Sequence, residues 1–251
     1  MGMNTLTLSP LEAITPSPKV SSDYRFISTK EMVSRIQATG WEPKSIQIRR
    51  TRNAERKPFA FHRITFHNDA MGAPSHVGGA APRIILQTSH EGNASFHLMM
   101  GFYVLVCSNG LVIGSTFDGI RVPHIGENPE QKVRNGITRI LDEFPALFNT
   151  MNRMEQRELI SEDQFSFARK AFPLRWDDRE PTTEDLRTLL HPRRYYPNMN
   201  LWNLYNTIQE NLTKGGFRIG NSSRRSRKIT NILRDTSMNR QLWDIAESYL
   251  N

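Results

Sequence analysis

The period of the hydrophobic pattern changes near Pro129, and this change restricts the folds that the chain can adopt. Before that point, Ile46 and Ile48 alternate with polar residues and residues 60–66 repeat the alternation, which is the period of β-strands. Beyond it, apolar residues recur at helical spacing between positions 133 and 144. This order predicts an α+β fold, in which an antiparallel sheet with hairpins is followed by a long helix and a helical C-terminal third.

Local signals refine the first half of this prediction. Ser28 and Glu31 have the spacing of a capping box, which predicts a helix that Gly40 ends. Residues 96–114 are apolar on both periods, so the pattern alone fits a helix or two strands. Their β-branched and aromatic content, with the turn-forming pair Asn109-Gly110, favours two strands joined by a hairpin.

The composition and the positions of proline and glycine suggest how the chain is organised. Residues 1–22 are rich in Ser, Thr and Pro without a hydrophobic period, which predicts a flexible N-terminal arm. We expect an α+β domain over residues 23–160 and a helical region over residues 161–251 with a basic loop packed on it. Pro145 is expected to end or kink the long helix, and Gly215-Gly216 to end a later one.

The chain has no run of the roughly 18 to 20 apolar residues that a membrane-spanning helix requires. Its first residues lack the basic head and apolar run of a signal peptide. Cys107 is the single cysteine, so neither an intramolecular disulfide nor a CxxC metal or redox site can form. We therefore expect a protein of a reducing cytoplasm that has no membrane partner.

Positive charge is concentrated in two windows. The net charge is +8, whereas residues 44–63 carry +6 and residues 214–234 carry +7, which leaves −5 for the remaining chain. Evenly solvated surfaces intersperse both signs, so two concentrated windows on a mildly acidic body indicate a site for a polyanion such as nucleic acid. The alternative is that both windows are solubilising loops.

The composition of these windows suits binding to a nucleic-acid backbone. Guanidinium groups pair with phosphates, neighbouring hydroxyls donate to phosphate oxygens, and aromatic rings stack on unpaired bases. In the alternative reading, both phenylalanines of the first window lie in the core. The candidate nucleic-acid-binding residues are Arg49, Arg50, Arg52, Lys57, Phe59, Phe61, Arg63, Arg218, Arg224, Arg225, Arg227 and Lys228.

A second candidate site is the turn at residues 88–97, which is rich in groups that do acid–base and nucleophilic chemistry. A histidine beside a carboxylate and a hydroxyl can form a proton relay, and a cysteine near a histidine can act as a nucleophile. The same residue types are also common in ordinary turns, and a cysteine among apolar residues is commonly a buried hydrophobe. The candidate catalytic residues are Ser89, His90, Glu91, His97 and Cys107.

No cofactor or metal ion is expected. Six of the seven histidines lie between His62 and His124, but their spacing does not match a metal site: His62 and His67 point to opposite faces of one strand, and His90-Glu91 lacks the H-E-x-x-H spacing. The sequence contains no phosphate-binding P-loop, nucleophile elbow or dinucleotide fingerprint. These absences argue against the common nucleotide-hydrolysing folds.

The chain resembles a phage- and plasmid-borne family that is catalogued as a domain of unknown function. The similarity runs from Arg83 to Gly92, through the VCSNG motif at residues 106–110 and the QENL motif at residues 209–212 with Gly215-Gly216, and on to residues 235–247. It covers most of residues 25–250. The resemblance implies a mobile-element setting, and the family pattern has no assigned active site to carry over.

A more distant similarity, to phage single-strand annealing proteins of the Erf, Sak and Redβ kinds, implies a homo-oligomer that holds single-stranded DNA without hydrolysing nucleotides. Together with the basic windows, it leads to the expectation of a nonenzymatic nucleic-acid-binding protein, favouring single-stranded DNA, that acts in recombination or annealing. Two alternatives remain: a host-takeover or anti-defence effector that binds proteins, and an enzyme that uses the turn at residues 89–97.

Overall fold

Six strands form one sheet in the computed structural model, which describes residues 9–71, 79–104, 112–113, 119–196, 198–220 and 223–250. The strands follow the order β1-β2-β3-β4-β5, and β6 pairs with β4. Each pairing with a defined register is antiparallel. The strands are β1 (Glu42–Ile48), β2 (His62–His67), β3 (Ala80–Thr88), β4 (Phe96–Val104), β5 (Val112–Ile113) and β6 (Ile120–Val122).

Helices dominate the rest of the described chain, and the predicted α+β fold is confirmed. One helix precedes the sheet and five follow it. The described residues contain no helix that is both long and apolar enough to cross a membrane. The helices are α1 (Thr29–Gln37), α2 (Pro129–Gln156), α3 (Ser161–Ala171), α4 (Thr183–Leu190), α5 (Leu201–Lys214) and α6 (Ile232–Glu247).

The chain divides into two compact units. Unit 1 comprises Met1–Met71, Pro82–Met100 and Asp118–Glu143. Unit 2 comprises Gly72–Ala81, Gly101–Phe117 and Phe144–Asn251. The domain limits suggested by composition, at residues 22 and 160, stay predictions.

In unit 1 the first basic window forms the predicted hairpin. Strand β1 pairs with β2 so that Ile46 lies opposite Ile64. Strand β2 is also paired with β3 on its other side, and its side chains are mostly buried, whereas six of the seven residues of β1 are exposed. A 3-10 helix, Ala54–Phe59, lies in the connection between β1 and β2. The hairpin therefore has one solvent-exposed edge strand and one central strand.

Helix α1 begins where the sequence predicts. The hydroxyl of Ser28 accepts a hydrogen bond from the backbone N–H of Glu31 at 3.2 Å. The Glu31 carboxylate accepts from Arg35 at 2.6 Å, one helical turn later, rather than returning to the cap. Half of the predicted capping box is therefore formed, and the helix ends before Gly40, whose φ is +86°.

Helix α2 continues through Pro145, so of the two alternatives expected there, an end or a kink, the end is wrong. The helix continues from Pro129 to Gln156. A proline inside a helix has no backbone N–H to donate, so the hydrogen bond from residue 145 to the carbonyl of Leu141 is missing. The flanking turns keep their backbone hydrogen bonds. The predicted hairpin at Asn109-Gly110 lies outside the described residues.

In unit 2 helix α5 is surrounded by other groups on all sides. Every residue from Leu201 to Thr213 is buried, although the sequence indicates only one apolar face. Aromatic rings pack against it, with the ring centroids of Tyr205 and Trp243 5.7 Å apart. Some side chains of the polar face hydrogen-bond to neighbouring segments; Gln209, for example, donates to Asn239 at 2.9 Å.

The close approach of Gly119 to β4 leads to a stability prediction. A Cβ atom at Gly119 would lie 2.2 Å from the carbonyl oxygen of Leu98, whereas one at Gly126 would meet nothing within 4 Å. Both glycines have positive φ, at +62° and +82°. We expect Gly119→Ala to lower the free energy of unfolding by about 1–3 kcal/mol more than Gly126→Ala, as measured by urea denaturation. Equal losses in the two variants would contradict this contact.

Candidate functional site

The second basic window forms a loop that folds back against the end of α5, and we call its described residues, 215–220 and 223–231, the basic loop. The N–H of Gly216 donates to the carbonyl of Ser226 at 2.7 Å, and the N–H of Ser226 donates to Phe217 at 2.7 Å. Gly215 has φ +63°, and a Cβ there would lie 2.7 Å from the Ser226 oxygen. A glycine is therefore required where the loop leaves the helix, which explains the Gly-Gly pair of the motif.

Two arginine side chains are held at the start of the basic loop. Arg193 donates from Nε to Oδ1 of Asn211 at 2.7 Å and from Nη2 to the carbonyl of Gly215. Arg225 donates from Nη1 to the carbonyl of Gly216 at 3.1 Å. Both guanidinium groups are thus positioned by neutral acceptors, which leaves their positive charges without a balancing carboxylate.

Two further arginines join them from outside the loop. Arg175 donates from Nη2 to the carbonyl of Arg227, and Arg234 donates from Nη2 to the carbonyl of Arg175 at 3.2 Å. Burial, and then repulsion from Arg234, lower the pKa of Arg175 to about 10. Its Nη1 atom is buried without a hydrogen-bond partner. We define the arginine cluster as Arg175, Arg193, Arg225 and Arg234.

Two acidic side chains near the loop, Asp185 and Glu210, are bound by groups outside the arginine cluster. Asp185 accepts from the backbone N–H of Gly220 at 2.7 Å and caps α4 through Thr182. Glu210 pairs with Lys214 one turn along α5. Across the described residues, no ion pair involves a member of the arginine cluster. A buried donor beside like charges is unfavourable alone, so the cluster is suited to bind an anion.

The basic residues of the loop, Arg225 of the cluster included, lie at its surface. Arg218, Arg224, Arg225, Arg227 and Lys228 are all exposed. Four of the predicted contacts in the unit 1 hairpin are also exposed: Arg49, Arg50, Arg52 and Lys57. Among the described residues, these four form no ion pair.

Part of the predicted hairpin surface lies in the core instead. Phe61 and Arg63 expose only 4% and 3% of their surfaces, so neither can reach a bound strand. Phe59 is half-buried at the end of the 3-10 helix. Both faces of β2 are therefore covered by other residues. The alternating pattern did not show this, because the face that it left open carries Arg63 and, just before the strand, Phe61.

In the turn at residues 89–91, the side chains of Ser89 and Glu91 hydrogen-bond to groups other than His90. The Glu91 carboxylate accepts two hydrogen bonds from Arg56, at 2.8 and 2.9 Å, and these contacts lower the pKa of Glu91. The hydroxyl of Ser89 donates to the carbonyl of Phe59 at 3.2 Å. Neither side chain contacts the imidazole of His90. His97 lies on β4 opposite Arg121, and Cys107 is outside the described residues.

Three histidines that are distant in sequence meet inside unit 1, and we call His62, His90 and His124 the histidine cluster. Nδ1 of His62 donates to the carbonyl of Ala60 at 2.9 Å, so its Nε2 accepts from the Thr29 hydroxyl at 2.9 Å. Nε2 of His90 lies 3.0 Å from the same hydroxyl oxygen and 3.1 Å from the carbonyl oxygen of Pro10, and its N–H is shared between these two acceptors. Nδ1 of His90 is then a buried acceptor without a partner.

The third member is held in the same way. Nδ1 of His124 donates to the carbonyl of Arg25 at 3.1 Å, and its Nε2 accepts from the Thr88 hydroxyl at 3.1 Å. The ring of Tyr24 stacks on it with centroids 4.7 Å apart. No three His, Cys, Asp or Glu side chains of the described chain are placed to bind a metal ion. The crowding of histidines between residues 62 and 124 was the available sequence signal for this cluster.

The histidine cluster makes folding sensitive to acid. Burial, followed by repulsion from His62 and His124, lowers the pKa of His90 to about 3, and burial also lowers the pKa of the other two. The imidazoles therefore stay neutral in the folded chain, whereas in the unfolded chain they bind protons below about pH 6.5.

We expect the free energy of unfolding to fall as the pH drops below about 6.5, with His90 contributing up to about 1.4 kcal/mol per pH unit. Urea denaturation between pH 7.5 and 4.5 measures this slope. His90→Gln should make the slope shallower, and His191→Gln, at an exposed histidine of unit 2, should preserve it. A slope that is the same in His90→Gln and in the unmodified chain would contradict the assignment.

Comparison of the sequence with known proteins identifies a matching family and similar proteins. A family model described as "Domain of unknown function (DUF932)" matches residues 18–243. Two proteins of Escherichia coli (strain K12), UPF0380 protein YfjQ and UPF0380 protein YafZ, are each 32% identical over 236 residues, covering 92% of this chain and 84% of each relative. No solved structure matches the chain.

Proposed function

The chain belongs to the DUF932 family, whose description assigns no activity, and we propose that it binds single-stranded nucleic acid through the basic loop and the arginine cluster. In this proposal it is a nonenzymatic factor of a mobile element that acts on DNA in the bacterial cytoplasm during recombination or annealing. The localisation of positive charge and the absence of nucleotide-hydrolysis motifs support it.

The arginine cluster is the observation that carries the proposal. Arg175 and Arg234 lie close enough for repulsion to lower the pKa of Arg175, and Nη1 of Arg175 lacks an acceptor. A phosphate oxygen bound there would supply both the acceptor and the negative charge. The side chains of Arg193 and Arg225 are already held in place, so little side-chain entropy is lost on binding.

These contacts are suited to the backbone of a nucleic acid rather than to its base edges. The loop presents guanidinium, ammonium and hydroxyl groups, which bind phosphates without reading sequence. The exposed basic residues of the unit 1 hairpin offer a further set of phosphate contacts. We therefore expect binding that tolerates different sequences and weakens as salt increases.

The test is fluorescence anisotropy of a labelled single-stranded oligonucleotide titrated with protein at increasing salt. Each neutralised phosphate contributes about −0.7 to the slope of log affinity against log salt for a single strand. Replacing Arg224, Arg225, Arg227 and Lys228 with Gln should reduce the steepness of that slope by up to about 3 and weaken binding at low salt more than tenfold.

The matched control removes the same charge elsewhere. Lys19, Lys132, Arg157 and Arg169 are exposed, and none forms an ion pair among the described residues. Replacing these four with Gln should change affinity far less than the loop variant does. If both variants lost the same affinity, net charge rather than the basic loop would explain the binding. If the unmodified protein did not bind at low salt, the proposal would be refuted.

We also propose that the chain associates with a second copy through β1. The strand lies at the edge of the sheet, and Ile46 and Ile48 are 50% and 42% exposed. Its outer backbone groups can pair with another strand. Antiparallel pairing of two β1 strands would bring Glu42 of one copy towards the Arg49 end of the other, so the strand's charges are complementary to those of a second copy.

Sedimentation velocity at increasing protein concentration tests this association. The unmodified chain should sediment as a larger species at high concentration, and Ile46→Lys with Ile48→Lys should remain monomeric because two charges would face the partner strand. Ile160→Lys, at a position 65% exposed in unit 2, is the control and should behave like the unmodified chain. A chain that is monomeric at all concentrations would contradict the proposal.

A further inference from the structure

Tyr195 is unusual among the aromatic residues that the structure describes because its ring is left in solvent. It is 82% exposed, whereas Trp202 and Trp243 of the same unit are 1% and 0% exposed. Within the described residues, Tyr195 makes no hydrogen bond and no ring contact. Leaving a large apolar ring in water forgoes its burial, so a contact formed on binding is favourable.

Side chains close to Tyr195 on both sides are buried or hydrogen-bonded. Tyr196, the next residue, is 8% exposed, so the chain is anchored immediately after the exposed ring. Arg193, two residues before it, is held by Asn211 at 2.7 Å and by the carbonyl of Gly215. The ring therefore stands on a held segment, and tyrosine has only two side-chain torsions to immobilise on binding.

The same anchor connects Tyr195 to the proposed phosphate site. The guanidinium of Arg193 lies over the ring of Phe217, 4.5 Å from its centroid, at the beginning of the basic loop. Arg194, between Arg193 and Tyr195, is exposed and forms no ion pair among the described residues. Two cations that can bind phosphates thus directly precede an accessible ring.

We propose that Tyr195 stacks on an unpaired base of a nucleic acid whose phosphates contact the arginine cluster, so that it selects single strands over duplexes. The inference deepens the proposed function and rests on it. In a duplex both faces of each base are occupied by its neighbours, whereas a single strand can place a base on an aromatic ring. Stacking of this kind accepts any base because every base has a π-face.

The test separates stacking from charge by using three labelled probes of equal length: oligothymidine, an abasic strand with the same phosphates, and a blunt duplex. The unmodified protein should bind oligothymidine about tenfold more tightly than the abasic strand, which corresponds to about 1.4 kcal/mol. Tyr195→Ala should lose that preference while its affinities for the abasic strand and the duplex stay unchanged. Tyr195→Phe should retain the preference because the ring is kept.

A control variant distinguishes stacking from a general loss of apolar surface. Leu233 is 50% exposed at the start of α6, near the basic loop in sequence, and Leu233→Ala should bind all three probes as the unmodified protein does. If Tyr195→Ala keeps the preference for oligothymidine, or weakens binding to all probes equally, the stacking role is refuted while phosphate binding stands. If the unmodified protein binds no probe at low salt, the proposed function itself fails.

Discussion

The hydrogen bonds of Asn211 position the segment of unit 2 that carries Arg193. Its Nδ2 atom donates to the carbonyls of Leu189 and His191, at 2.8 and 2.9 Å, and its Oδ1 atom accepts from Arg193. One buried amide thereby connects α5 to the end of α4 and to the segment that carries the exposed tyrosine. Because a buried amide is costly when unpaired, this arrangement is specified more strictly than apolar packing alone would achieve.

Unit 1 contains buried titratable groups that stay neutral, in contrast to the charged arginine cluster of unit 2. There the histidine cluster is buried, and its imidazoles stay neutral because desolvation and mutual repulsion oppose protonation. The Thr29 hydroxyl joins two of the rings, and the partners of His62 and His124 are backbone carbonyls and a threonine. The cluster ties α1 to the sheet through Thr29, and all three imidazoles belong to buried residues. The arginine cluster of unit 2, in contrast, lies at or near the surface and forms no ion pair among the described residues.

Much of the local structure was predictable because it depends on neighbours in sequence. The hairpin of β1 and β2, the cap at Ser28 and the helix end at Gly215 each follow from spacing or from a glycine conformation. The termination expected at Pro145 was wrong because the cost of one missing donor is local and the rest of the helix retains its bonds. The exposed loop arginines were predicted, whereas Arg175, Arg193 and Tyr195 were missed because they lie well outside the charged window.

The sequence by itself therefore determined the fold class, the order of strands and helices, and the segments in which positive charge collects. Only the tertiary structure decided which side chains meet. It buried Phe61 and Arg63, which the strand pattern left open, and it gathered arginines from three separate segments around Gly215. The physical reason is range: period, capping and turn chemistry act over a few residues, whereas burial and charge proximity depend on groups that the fold brings together from distant positions.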